Sequence, residues 1–105
     1  MPAASCTWGV IAVDGEGNLV GGDDVAAQTR QVLENMRAIL EAGGCGFQDV
    51  VKVTIFLTDV DDRPLINPLR QEAFGSARPA STLVEVSRLV LPEAKVEIEC
   101  VALVP

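Results

Sequence analysis

The run Val96-Glu-Ile-Glu-Cys-Val-Ala alternates without interruption: Val96, Ile98, Cys100 and Ala102 point one way, Glu97 and Glu99 the other. A period of two is the mark of a strand that buries one face. The stretch from Asp49 to Thr58 repeats it, with Val51, Val53, Ile55 and Leu57 on one side and Lys52, Thr54 and Phe56 on the other. Residues 5–13 read as another strand, closed by the turn Asp14-Gly-Glu-Gly-Asn, and Leu19-Val20 as a strand remnant before Gly21-Gly22. The period then becomes helical. Asp23 or Asp24 caps this helix, and Val25, Thr29, Val32, Met36, Ile39 and Leu40 form its apolar stripe. Gln28, Arg30, Gln31, Glu34 and Arg37 supply its polar remainder, and Gly43-Gly44 ends it after Ala42. A second helix is expected over about 62–74, with Pro64 in its first turn and a kink or broken first half at Pro68. Two closing strands follow the loop Gly75-Ser-Ala-Arg-Pro, one on either side of a Leu91-Pro92-Glu93 turn.

The order β, α, β, α, β, β predicts an α+β domain, one sheet with both helices packed on one face. The other face is expected to carry Lys52, Thr54, Phe56, Leu83, Glu85, Glu97, Val101 and Leu103. That mixture is too apolar to face water, so the pattern predicts a homo-oligomer.

Composition narrows the chemistry mainly by what is missing. At 105 residues the chain is long enough for a single domain, 1–105, and its 49% hydrophobic content can fill the interior. It contains no histidine and no tyrosine, which excludes an imidazole base, a histidine metal ligand and a tyrosine acid. Cys6, Cys45 and Cys100 are unclustered, so neither a thiolate metal site nor any other cofactor is expected. Cys100 falls in the buried set and reads as a small core residue in a reducing cytoplasm. The net charge is −7 and the basic residues are scattered singly, which leaves nucleic acid no electrostatic footprint. No apolar run approaches the about 20 residues that span a bilayer, so no membrane partner is expected. The start, Met1-Pro-Ala-Ala-Ser-Cys, lacks the features of a secretory signal.

Four segments carry a resemblance. Gly22 to Met36, Asp49 to Asp59, Arg78-Pro-Ala-Ser-Thr-Leu-Val-Glu-Val and Val96-Glu-Ile-Glu-Cys-Val-Ala are similar, in order, to the RidA family, also called YjgF or L-PSP. The similarity runs from about Gly9 to Val104. It implies a chorismate-mutase-like fold, a homotrimer with a central barrel, and small-molecule clefts between subunits. Active members hydrolyse enamines and imines such as 2-aminoacrylate to 2-keto acids and ammonia; some members carry ribonuclease or translation-inhibitor names.

By that resemblance Glu97 matches the glutamate that orients or activates the attacking water. Asn67, Thr82, Leu83 and Gly9 match positions that line the cleft. Two further positions depart from the family. Ser81 replaces the arginine that clamps the substrate carboxylate, a bidentate grip that a hydroxyl cannot reproduce. Trp8 stands where a small residue is usual and would reshape the pocket. The chain also begins after the family's usual first strand, so a shortened N-terminus is expected, without the cleft tyrosine.

Each candidate has a plainer reading beside the functional one. From periodicity alone Glu97 reads as a solvated or inter-subunit charge, paired with Lys95 or a neighbour's arginine, and Trp8 as core or interface packing. Asn67 reads as a local backbone partner and Ser81 as a strand-entry hydroxyl, since no histidine exists to activate it. Two functions stay open. One is a divergent imine or enamine deaminase with weak or no activity on 2-aminoacrylate, whose negative cleft suits a neutral or cationic ligand. The other is a non-catalytic trimer that binds a metabolite or a protein partner.

Overall fold

A computed structural model describes residues 5–105. The stretch 1–4, most of the segment on which the secretory-signal reading rests, lies outside the described residues. Strand β1 (Ser5–Ile11) leads through the turn at 14–18 and a bridge between Val13 and Leu19 to helix α1 (Val25–Ala42). Strand β2 (Val50–Leu57) follows, then a single 3-10 turn and helix α2 (Arg63–Phe74). Strands β3 (Ala80–Glu85) and β4 (Val96–Leu103) close the fold.

The sheet order is β1-β4-β2-β3. β4 runs antiparallel to both β1 and β2, while β2 and β3 are parallel and joined through α2. The last two strands are therefore not a hairpin. α1 packs against α2, β1 and β4, so both helices cover one side of the sheet, as the pattern predicts. That side is called the helix face and the other the open face.

Asp24 is the cap of α1: its carboxylate accepts from the backbone N–H of Ala26 and Ala27. Gly44, with φ of 79°, supplies the left-handed residue after the helix. Ile39, expected in the buried stripe, is 43% exposed, whereas Leu33 is buried. The larger departure is Gln28, counted above as polar surface and here fully buried. Its amide nitrogen donates to the carbonyls of Gly22 (2.7 Å) and Glu93 (3.0 Å), and its amide oxygen accepts from Lys95 N–H (2.8 Å). One side chain thus ties the start of α1 to the loop entering β4. α2 runs without a break through Pro68, whose ring lies on the exposed side; the break expected there is absent.

Register decides which side chains reach the core. Val96, Ile98, Cys100 and Ala102 are all buried, together with Val53, Ile55 and Leu57. A bulge between Val50 and Lys52 turns Val51 outward, at 43% exposure, and puts Val50 inward in its place. On β3 the expected faces are reversed. Leu83 pairs with Ile55 and Glu85 with Leu57, so both belong to the helix side, and Thr82 and Val84 take the open face. A strand with mixed residues on both faces does not reveal its own phase; the neighbouring strand sets it.

Cys100 sits 1% exposed between the sheet and the helices. Burial, aided by the Glu99 carboxylate, pushes its thiol up to about 12. The folded protein therefore holds this proton where the unfolded chain has lost it. Stability from this group is unaffected below the unfolded thiol's range and falls as pH rises from there towards 12. At pH 8, iodoacetamide is expected to leave Cys100 unmodified in the folded protein and to alkylate it in urea, read by peptide mass spectrometry.

Candidate functional site

The candidate residues fall into two groups on opposite sides of the sheet. On the open face, Glu97 of β4 lies in a cross-strand row with Ile11, Phe56 and Val84. The adjoining row is Gly9, Glu99, Thr54 and Thr82. Glu97 is half-buried. Its carboxylate leans towards the C-terminal end of β4 and across to Gly9: a Cβ placed on Gly9 would stand 2.8 Å from Glu97 Oε2. The absence of a side chain at Gly9 is what lets the carboxylate occupy that place. Ion pairs among the described residues join Arg37 to Glu34 and Glu41; Glu97 forms none and accepts no hydrogen bond among them. Lys95 is not its partner.

The second group lies where α2 meets the entry to β3 on the helix side. The row Trp8, Cys100, Val53, Ser81 crosses the whole sheet, with Trp8 on one edge strand and Ser81 on the other. Three strand spacings separate them, roughly 14 Å. Ser81 Oγ accepts from Arg70 Nη1 at 3.0 Å, and Asn67 Oδ1 accepts from Arg70 Nη2 at 2.7 Å. Arg70 therefore links Asn67 and Ser81, which the resemblance places together in the cleft. Burial pushes the Arg70 guanidinium below the ordinary arginine range.

Leu83 and Trp8 lie on the helix side and take no part in the hydrogen bonds of Arg70. Leu83 packs against the core beside Ile55. Trp8, with Gly9, Ile39, Leu40 and Cys45, lines a small apolar pocket of about 230 Å³ near the end of α1, and its indole Nε1 is buried without an acceptor. The residue that sequence reasoning missed is Arg70. Its signal was available as an i, i+3 pair with Asn67 on one helix face. Nothing local predicted its reach to Ser81, 11 residues on. No group of histidine, cysteine, aspartate or glutamate among the described residues is arranged to hold a metal ion. No helix among them is long and apolar enough to cross a membrane.

Known proteins share this architecture. The family profile described as Endoribonuclease L-PSP matches residues 5–104. The 2-iminobutanoate/2-iminopropanoate deaminase of Salmonella typhimurium is 41% identical over 99 residues, covering 91% of this chain and 76% of that protein. The 3-aminoacrylate deaminase RutC of Acinetobacter baylyi is 43% identical over 94 residues, 90% of this chain and 74% of its own. Among solved structures, a Rid-family protein of unknown function from Yersinia pestis superposes with a TM-score of 0.89 at 31% identity, covering 96% of this chain and 80% of that one. Profile match, relatives and superposition agree with the four quoted motifs, and the chain belongs to the RidA/YjgF/L-PSP family.

Proposed function

We propose that the protein is a homotrimeric hydrolase of reactive imines and enamines, releasing a carbonyl product and ammonia. The observation that carries this reading is Glu97, a half-buried carboxylate with no partner among the described residues, held over the bare backbone of Gly9. A carboxylate so placed can accept a proton from water as the water oxygen bonds to the imine carbon. The C=N π electrons move to nitrogen, and the proton held by Glu97 passes to that nitrogen. Glu97 then carries the carbinolamine O–H proton to the same nitrogen as the C=O bond forms and the C–N bond breaks, so one imine and one water give one carbonyl and one ammonia. An enamine enters after tautomerising to the imine. The activities named for the Salmonella and Acinetobacter relatives support the same reaction class.

The two-sided arrangement supports a site between subunits. Gly9 and Glu97 lie on the open face and Ser81 on the helix side, so a small substrate that touches both groups needs two chains. Val84 (38%) and Leu103 (40%) leave apolar surface on the open face for that association. A ribonuclease reading gains nothing here, since the chain has no histidine and a net charge of −7.

The serine at position 81 favours a second reading, a trimer that binds a metabolite or protein without catalysis. One assay separates them. With freshly generated 2-iminobutanoate and semicarbazide as a competing trap, hydrolysis lowers the semicarbazone yield relative to a protein-free control. An unchanged yield with every imine tried selects the binding protein. Light scattering is expected to give the mass of three chains.

A further inference from the structure

The groove between α2 and the start of β3 carries two guanidinium groups and no acid. Its volume is about 390 Å³, and Arg70, Arg78 and Ser81 line it together with Val53, Phe74 and Pro79. In a chain of net charge −7, a half-buried arginine would ordinarily have a carboxylate in reach. Arg70 has none among the described residues. Its Nη atoms donate only to the neutral oxygens of Ser81 and Asn67, and its Nε is buried with no acceptor. Arg78 is exposed and makes neither a hydrogen bond nor an ion pair among the described residues. A guanidinium removed from water without a counter-charge is costly, and an anion bound beside it recovers that cost.

We propose that Arg70, assisted by Arg78 and the Ser81 hydroxyl, binds the carboxylate of a small organic acid, supplying from helix α2 the grip that the side chain at position 81 is too short to make. Of the guanidinium's five N–H donors, two are engaged within the chain. Each Nη keeps a further proton, and the pair can meet both oxygens of a carboxylate. The wall formed by Val53, Phe74 and Pro79 suits a short aliphatic tail. Anion binding stands on the groove itself; that the acid is the hydrolysed imino acid rests on the reading given under Proposed function. On that reading, 2-imino acids become good substrates despite Ser81.

The test uses 2-oxobutanoate, the stable product of 2-iminobutanoate hydrolysis, titrated calorimetrically into the full chain. Binding is expected, with the neutral methyl ester and inorganic phosphate each at least tenfold weaker. Arg70→Gln is expected to weaken 2-oxobutanoate at least tenfold. Adding Ser81→Arg to Arg70→Gln is expected to return most of that loss, a rescue that a merely structural role for Arg70 would not give. Unchanged affinity in Arg70→Gln, no binding to the unaltered protein, or phosphate binding as tightly as 2-oxobutanoate each overturns the proposal. The two readings fail separately. Binding that depends on Arg70 without any imine turnover sinks only the hydrolase. Turnover whose KM is indifferent to Arg70→Gln sinks only the arginine site.

Discussion

Glu97→Gln is expected to lower turnover of 2-iminobutanoate by about 10²–10⁴-fold, the range over which a positioned proton acceptor contributes to a rate. The amide keeps the size of the side chain and its place over Gly9, but it cannot take a proton from water. Affinity for 2-oxobutanoate should stay near that of the unaltered protein, because the carboxylate grip is assigned to the other side of the sheet. The loss should therefore appear in kcat rather than KM. Gly9→Ala tests the same geometry from the opposite partner. Its methyl group would stand 2.8 Å from Glu97 Oε2, so the carboxylate must swing aside. The displaced atom is the far end of a flexible side chain, and stability should change by less than about 0.5 kcal/mol. Turnover should nonetheless fall. Activity in Glu97→Gln within twofold of the parent would remove Glu97 from the mechanism.

Gln28→Ala is expected to cost about 2–5 kcal/mol of folding free energy, the largest effect anticipated from a single polar residue here. The substitution deletes the donor to the carbonyls of Gly22 and Glu93 and the acceptor for Lys95 N–H, and it leaves a cavity beside fully buried neighbours. For a domain of this size, a loss of that order lowers Tm by on the order of 10–30 °C. Differential scanning calorimetry checks it. A fall of no more than about 3 °C would mean that water replaces all three hydrogen bonds, and that the amide does not hold the loop.

Gln28 also marks where sequence reading stops. Its neighbours Val25, Thr29, Val32 and Met36 announce the buried stripe by spacing alone, because apolar periodicity is a local signal. A glutamine at the edge of that stripe looks like solvent-facing surface. Only its partners near Glu93 and Lys95, 65 and 67 residues away, show otherwise. The same limit explains β3. The run Ala-Ser-Thr-Leu-Val-Glu is legibly a strand, but its phase is set by pairing with β2, and the face of Leu83 could not be counted from within it. β4 was read in full because its alternation has no competing choice. At the candidate site, the serine at position 81 was visible by comparison of motifs. The guanidinium that reaches it comes from another element, and only the fold brings Arg70 and Ser81 together.

The placement of β4 has a consequence for how the molecule is made. It is the last of the described strands to leave the ribosome, yet it lies between β1 and β2 and is the sole bridge from the first strand to the rest of the sheet. Until it emerges, a nascent chain can join β2 to β3 through α2, while β1 lacks the neighbour it has among the described strands. Such an intermediate exposes strand edges that invite pairing with other chains, the situation chaperones relieve. Closure of the sheet thus waits on β4, and a stop codon upstream of Val96 would release a polypeptide that cannot complete this hydrogen-bond ladder.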